Sequence, residues 1–301
     1  MHPLTITNMP PEETETRLVA EDEQDVESPF APQYLYIIRH GDRWDYENPL
    51  WSKTSPRPGD PPLSKLGHQQ ARETGLFLNE LFKQDNITVD DITWLSSPFL
   101  RCLQTSNEAL NALTLADSRK ISILPESSVF EWDCKGGSWH DSLPPLEERW
   151  HYFPRLDLSY ESMFVPTLPE SRELFHQRCE LAMSALHTRF AFRPKTALVI
   201  VTHAAACIGL TRVATQTTLA DINPAVPCGI YRLSRRNGDQ TVWDIDACDK
   251  PGTNFNGHTD HLSSISGRTV AWNNFGDKNN HRGYTGPPTS KFAPPELRNG
   301  S

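Results

Sequence analysis

The stretch "YLYIIRHGDR" (34–43) runs a short apolar, β-favouring segment straight into an arginine, a histidine and a glycine, with a second arginine two residues further on. The run predicts a buried strand over 34–39 that ends on a cluster of charge. Arg39 and Arg43 repel each other unless an anion lies between them, and His40 falls at the same place. A second such delivery occurs at "TALVIVTH" (196–203), an unbroken apolar run of the kind expected of a central strand covered on both faces, which ends on His203.

Strand-like and helix-like stretches alternate between and around these two. "LSKLGHQQARETGLFLNELF" (63–82) has helical composition, with Ser64 available as N-cap. "DITWLSS" (91–97) reads as the next strand, and Ser97-Pro98 as N-cap and first residue of a helix on which Leu100, Leu103, Asn107 and Leu110 share a face. "KISILPES" (120–127) is a third strand. Phe175, Cys179, Ala182 and Leu186 step by four, three and four along an amphipathic helix, and another helix begins at Ala204.

This alternation predicts an α/β fold, a three-layer sandwich with a mostly parallel central sheet. The ligand site of such a sheet lies beyond the carboxyl ends of its strands. That rule brings Arg39, His40, Arg43, Arg101 and His203 to one rim, and the constellation asks for a phosphate. Guanidinium forks match phosphate oxygens, and helix N-termini after strands favour anions. A neutral imidazole nitrogen can attack phosphorus in line when a hydrogen bond to its other nitrogen fixes the tautomer. Gly41 is expected to let the backbone pass close to the ligand.

Five segments in this order, "RHG", "LSKLGHQQA", "SSPFLRCLQT", "FEW" and "VTHAA", together resemble the histidine phosphatase superfamily related to phosphoglycerate mutase, over roughly residues 33–247. The resemblance implies a phosphoglycerate mutase-like fold and a phosphatase needing neither cofactor nor metal. It implies His40 as the nucleophile that forms a phosphohistidine, with Arg39, Arg43 and Arg101 binding phosphate alongside His203, and Glu131 protonating the leaving oxygen. Mutase-type enzymes have a serine and an asparagine after "RHG", whereas this chain has Asp42, Arg43, Trp44 and Asp45. An Asp beside the second histidine, as in the acid phosphatase branch, is replaced by Ala204. The motif set looks most like the suppressor-of-T-cell-receptor-signalling phosphatases and the phosphatase-like subunit of transcription factor IIIC. "NFNGHTDHLSSISGRTVAWNNF" (254–275) also resembles the latter.

Each residue has a plainer reading beside the chemical one. Arg39 and Arg43 taken alone are surface ion-pairing residues, and Glu131 a cap or a partner for Arg101. Cys102 and Cys207 read as small buried apolar groups, and His68 as a helix-surface residue. "HGD" (40–42) and "GHTDH" (257–261) superficially resemble a di-metal phosphoesterase, but the remaining metal motifs are absent. The segment 132–169 is rich in aromatics and prolines; it is expected to be an insert serving as a lid, a satellite core, or both.

At 301 residues the chain is long enough to bury a core without disulfide or metal staples. Residues 1–30 hold eight acids and one arginine, net −7 of the chain's −9, so they read as a disordered acidic tail and the body as nearly neutral. Residues 31–275 form the expected domain and 276–301 a flexible Pro/Gly/Asn-rich tail. The near-neutral body lacks the basic stripe that direct nucleic-acid binding needs. No apolar run spans a membrane. The N-terminus shows no signal core and the six cysteines no C-x-x-C pair, which predicts reduced thiols in the cytoplasm or nucleus. The expected partner is a phosphorylated small molecule or phosphoprotein as substrate, with aryl phosphates or phosphotyrosine favoured. The alternatives are a scaffold subunit of a factor IIIC-like complex, a metabolite phosphatase or a mutase.

Overall fold

The computed structural model describes residues 33–133, 143–190, 196–235 and 242–275. The acidic arm, the C-terminal tail, Cys134 and Trp139 lie outside the described residues. Strand β1 (Gln33–Arg39) is buried along its whole length. Two short helices follow, α1 (Trp44–Glu47) and α2 (Trp51–Thr54), and then the long α3 (Lys65–Gln84). Ser64 caps α3 as expected, its side chain accepting from Gly67 N. The chain continues through β2 (Ile92–Ser96), α4 (Leu100–Ala112), β3 (Ile123–Pro125), α5 (Leu146–Trp150) and α6 (Arg172–Arg189). It ends with β4 (Ala197–Thr202), α7 (Ala204–Thr215), β5 (Ile230–Arg235), β6 (Asp244–Ile245) and β7 (Asn256–His258).

The seven strands among the described residues make one sheet in the order β3-β2-β4-β1-β5-β6, with β7 also on β5. β1, β2, β3 and β4 pair in parallel, while β5 runs antiparallel to β1, β6 and β7. Successive side chains of a strand point to opposite faces, and both faces are apolar here. Leu35, Ile37, Leu198 and Ile200 pack with Phe175, Cys179 and Leu186 of α6 and with α7. Tyr34, Tyr36, Ile38, Val199 and Val201 pack with Leu78 and Phe82 of α3 and Leu103 and Leu110 of α4. The three-layer sandwich follows directly from that division.

Two sequence readings need correction. Helix α4 starts at Leu100 with Phe99 at its N-cap position, so Ser97-Pro98 does not open it. The third strand is three residues long where eight were expected, because its backbone turns at Glu126 into a short 3₁₀ turn. The described part of the insert packs against the core. Trp132 stacks on Phe175, Phe153 and Leu156 belong to the core, and Glu126 accepts from Tyr160 Oη, Ser162 Oγ and Met163 N. Trp150 and Tyr152 are exposed.

The five cysteines among the described residues are free, and Cys102 and Cys207 are fully buried with burial raising both thiols. Neither forms a nucleophilic thiolate in such a setting. His68 sits half-exposed on α3, 2.8 Å from Glu108, as a surface residue would. No helix among the described residues is long and apolar enough to cross a membrane.

Candidate active site

Parallel pairing aligns the ends of the strands, with Arg39 opposite Thr202 and Ser96 opposite both Val201 and Pro125. The residues just past β1, β2, β3 and β4 therefore meet at one edge. β1 ends on Arg39 and leads to His40, β4 leads to His203, β2 to Ser97 and then Arg101 in the first turn of α4, and the chain after β3 to Glu131.

A backbone-to-backbone contact holds the first loop in place. A Cβ on Gly41 would stand 2.6 Å from Gly67 O, and one on Gly67 would stand 2.1 Å from Asp42 O. The glycines of "RHG" and "LSKLG" thus exist for each other: α3 presses its first turn against the loop. Gly41 N also donates to Thr105 Oγ1 of α4 at 3.0 Å.

His40 is 2 % exposed, and its Nδ1 lies 2.7 Å from Gly41 O. A carbonyl only accepts, so Nδ1 carries the proton and Nε2 is left with its lone pair. Burial, followed by the charges of Arg101, Arg39 and Arg43, holds the imidazole well below its ordinary pKa. The ring of His203 stands 5.4 Å away, centroid to centroid. His203 Nδ1 accepts from Arg101 Nη2 at 3.1 Å, which leaves Nε2–H to donate to Ser97 Oγ at 2.8 Å. His203 too is buried and driven neutral, by burial first and then by Arg101.

The guanidiniums differ in their freedom. Arg39 donates through Nη1 to Ala225 O and Arg268 O, at 2.9 and 2.6 Å. Arg101 lies over the Phe99 ring, and burial pulls its pKa down to about 10. The buried Nε atoms of Arg39 and Arg101 find no protein partner among the described residues. Two buried cations with unmet donors beside two neutral imidazoles make a receptor for an anion. Arg43 is placed otherwise: its fork is taken by Asp45 at 2.9 and 2.6 Å, and its guanidinium lies 4.7 Å from the centre of the Tyr46 ring. It stands at the rim as half of an ion pair.

Glu131 follows the 3₁₀ turn, and its Oε1 accepts from Trp132 N and Ala205 N, both at 3.0 Å. Ala205 N belongs to the first turn of α7, where the helix dipole favours a carboxylate. Burial opposes this and prevails, so the pKa of Glu131 is raised. Oε2 takes no hydrogen bond from the described residues and is where a proton would reside.

Three supports were not legible in the sequence. Ser97 holds His203, Asp45 neutralises Arg43, and Arg178 holds the loop of Glu131. Arg178 donates to Ser128 O at 2.8 Å and Phe130 O at 2.9 Å while paired with buried Glu170. Only Ser97, next to a motif proline, carried any signal, and that signal pointed to a helix cap. The residues of the di-metal resemblance have other contacts. Asp42 bonds Ser64, His258 and His261 stack on Phe77, and the described residues gather no group of three or more potential metal ligands.

Residues 35–246 match the histidine phosphatase superfamily (branch 1), and the chain belongs to that family. It is 30% identical over 179 residues to an ecdysteroid-phosphate phosphatase of Drosophila melanogaster, covering 48% of this chain and 22% of that protein. It is 32% identical over 128 residues to the human ubiquitin-associated and SH3 domain-containing protein A, covering 41% of this chain and 18% of the relative. The matches thus span about a fifth of the length of each relative. Among solved structures, an ecdysone phosphate phosphatase from Bombix mori in complex with tungstate shares the fold, with a TM-score of 0.54 and 21% identity over 78% of this chain and 97% of that one.

Proposed function

We propose that the chain is a phosphomonoesterase working through a phosphohistidine on His40. The observation that carries the reading is the Nδ1–H bond of His40 to Gly41 O, which leaves Nε2 as a lone-pair nucleophile between the buried Arg39 and Arg101. Nε2 attacks phosphorus as the bond to the leaving oxygen breaks, and Glu131 gives that oxygen its proton. A water then attacks the phosphohistidine, Glu131 takes its proton back, and inorganic phosphate leaves with His40 restored. Arg39 and Arg101 neutralise the equatorial oxygens throughout. His203 turns Nε2–H from Ser97 to a phosphate oxygen. A pure assembly surface, as in a factor IIIC-like scaffold, has no use for neutral imidazoles buried between guanidiniums.

The rim supports a reading of the substrate class. Trp44, next to Arg43, is exposed and could meet a flat leaving group, and aromatic contacts are worth about 0.5–1.5 kcal/mol each. The name of one relative, an ecdysteroid-phosphate phosphatase, is consistent with a bulky leaving group. Purified protein tested against a phosphoester panel is expected to favour aryl phosphates, phosphotyrosine included, over 3-phosphoglycerate by about tenfold or more in kcat/KM, with no mutase activity. A preference for phosphoglycerates, or their interconversion, would overturn the substrate class. Guanidiniums supply the positive charge in this scheme, so EDTA is expected to leave the rate essentially unchanged. Loss of activity in chelator, restored by a divalent ion, would replace it with a metal mechanism.

A further inference from the structure

The family match ends at residue 246, yet the wall of the site does not. The segment 263–272 is tied to the site at both ends. Ser263 donates to Glu73, and Ser264 O accepts from Gln70 Nε2 at 3.1 Å, while Gln70 Oε1 accepts from Asp42 N in the loop next to His40. At the other end Val270 and Ala225 exchange backbone bonds of 2.8 and 2.9 Å, and Trp272 stacks on Trp132, the neighbour of Glu131. Between these anchors Arg268 offers its main-chain oxygen to Arg39.

The side chain of Arg268 has been put to separate use. Its guanidinium lies 4.6 Å from the centre of the same Tyr46 ring that carries Arg43, with Nη2 3.4 Å from Tyr46 O. No carboxylate among the described residues pairs with it. The charges around the mouth can then be assigned. Arg39 and Arg101 match a phosphate dianion, Arg43 is matched by Asp45, and Asp42 is bonded to the N-cap of α3. Among the described residues, Arg268 is then left as an exposed positive charge at the rim with no carboxylate partner.

From this placement we infer that Arg268 is a specificity-determining residue, and that its guanidinium, held on Tyr46, forms a subsite for a carboxylate carried by the leaving group of an aryl phosphate. The inference rests on the phosphomonoesterase reading. A carboxylate on the far side of the leaving group would reach the guanidinium, whose fork donates to it bidentately. The pair is solvent-exposed, so its effect is modest and salt-sensitive.

The test compares 4-carboxyphenyl phosphate with phenyl phosphate on the full chain. Wild type is expected to favour the carboxylated ester by about threefold to tenfold in kcat/KM, mainly through KM, with the preference shrinking in high salt. Arg268→Gln is expected to bring the ratio close to one, and Arg268→Lys to keep part of it. A wild-type ratio of one, or a ratio unmoved by Arg268→Gln, overturns the subsite while leaving the phosphatase reading intact. If neither ester is hydrolysed, the phosphatase reading fails. The subsite is then decided by titrating 4-(phosphonomethyl)benzoate against benzylphosphonate, where equal affinities refute it and an Arg268-dependent difference sustains it.

Discussion

The His40→Ala protein is expected to lose about a thousandfold or more in kcat on every phosphoester that the wild type hydrolyses. No neighbouring group can take over the attack. His203 spends Nδ1 on Arg101 and Nε2–H on Ser97, and Cys102, 3.6 Å from His203 Nε2, is held as a thiol by burial. Removing an imidazole that bears no charge leaves Arg39 and Arg101 in place, so the variant should still bind inorganic phosphate. Loss of turnover with phosphate binding retained separates loss of the nucleophile from loss of the fold. Brief exposure of wild type to a ³²P-labelled aryl phosphate should leave an acid-labile, base-stable label that the variant lacks. Near-normal turnover by His40→Ala would remove the covalent mechanism altogether.

The framework of this site was readable because few physical solutions fit its residues. A fully apolar run such as "ALVIVT" has to be covered on both faces, and parallel strands put their carboxyl ends, hence Arg39, His40 and His203, at one edge. Ser64 as N-cap and the buried face of Phe175, Cys179, Ala182 and Leu186 likewise follow from short-range geometry. What stayed hidden depends on residues far apart in the chain. Ser97 looks like a helix cap until His203, 106 positions later, claims its hydroxyl. Arg43 looks like a phosphate ligand until Asp45 occupies its fork, and nothing within the motif discloses that choice. Gly41 was read as clearance for a ligand, whereas the backbone of Gly67 fills the space. The aromatic insert read as a lid, a satellite core or both, because its composition shows rings but not which side of the chain the core lies on. Phe153 and Trp132 go inward, Tyr152 outward.

Glu131→Gln isolates the proton from the carboxyl group that carries it. The amide keeps an oxygen that can accept from Trp132 N and Ala205 N, so the loop gripped by Arg178 has no reason to move. Only the acid is lost. A general acid matters in proportion to the basicity of the leaving oxygen, so alkyl phosphates are expected to slow by about 10²- to 10³-fold, and p-nitrophenyl phosphate by less than about tenfold. The pH profile gives an independent reading. The wild type needs Glu131 protonated and His40 neutral. Burial raises the pKa of Glu131, which carries the protonated acid to higher pH and places a falling limb in kcat/KM on the alkaline side. Burial and the arginines lower that of His40, which keeps the nucleophile neutral well below pH 6.5, so the rising limb lies on the acid side. Glu131→Gln should erase the falling limb for alkyl substrates and leave the rising one where it was. Equal slowing of alkyl and aryl esters, with the falling limb intact, would mean that Glu131 serves as a cap on α7 and that the proton comes from another group.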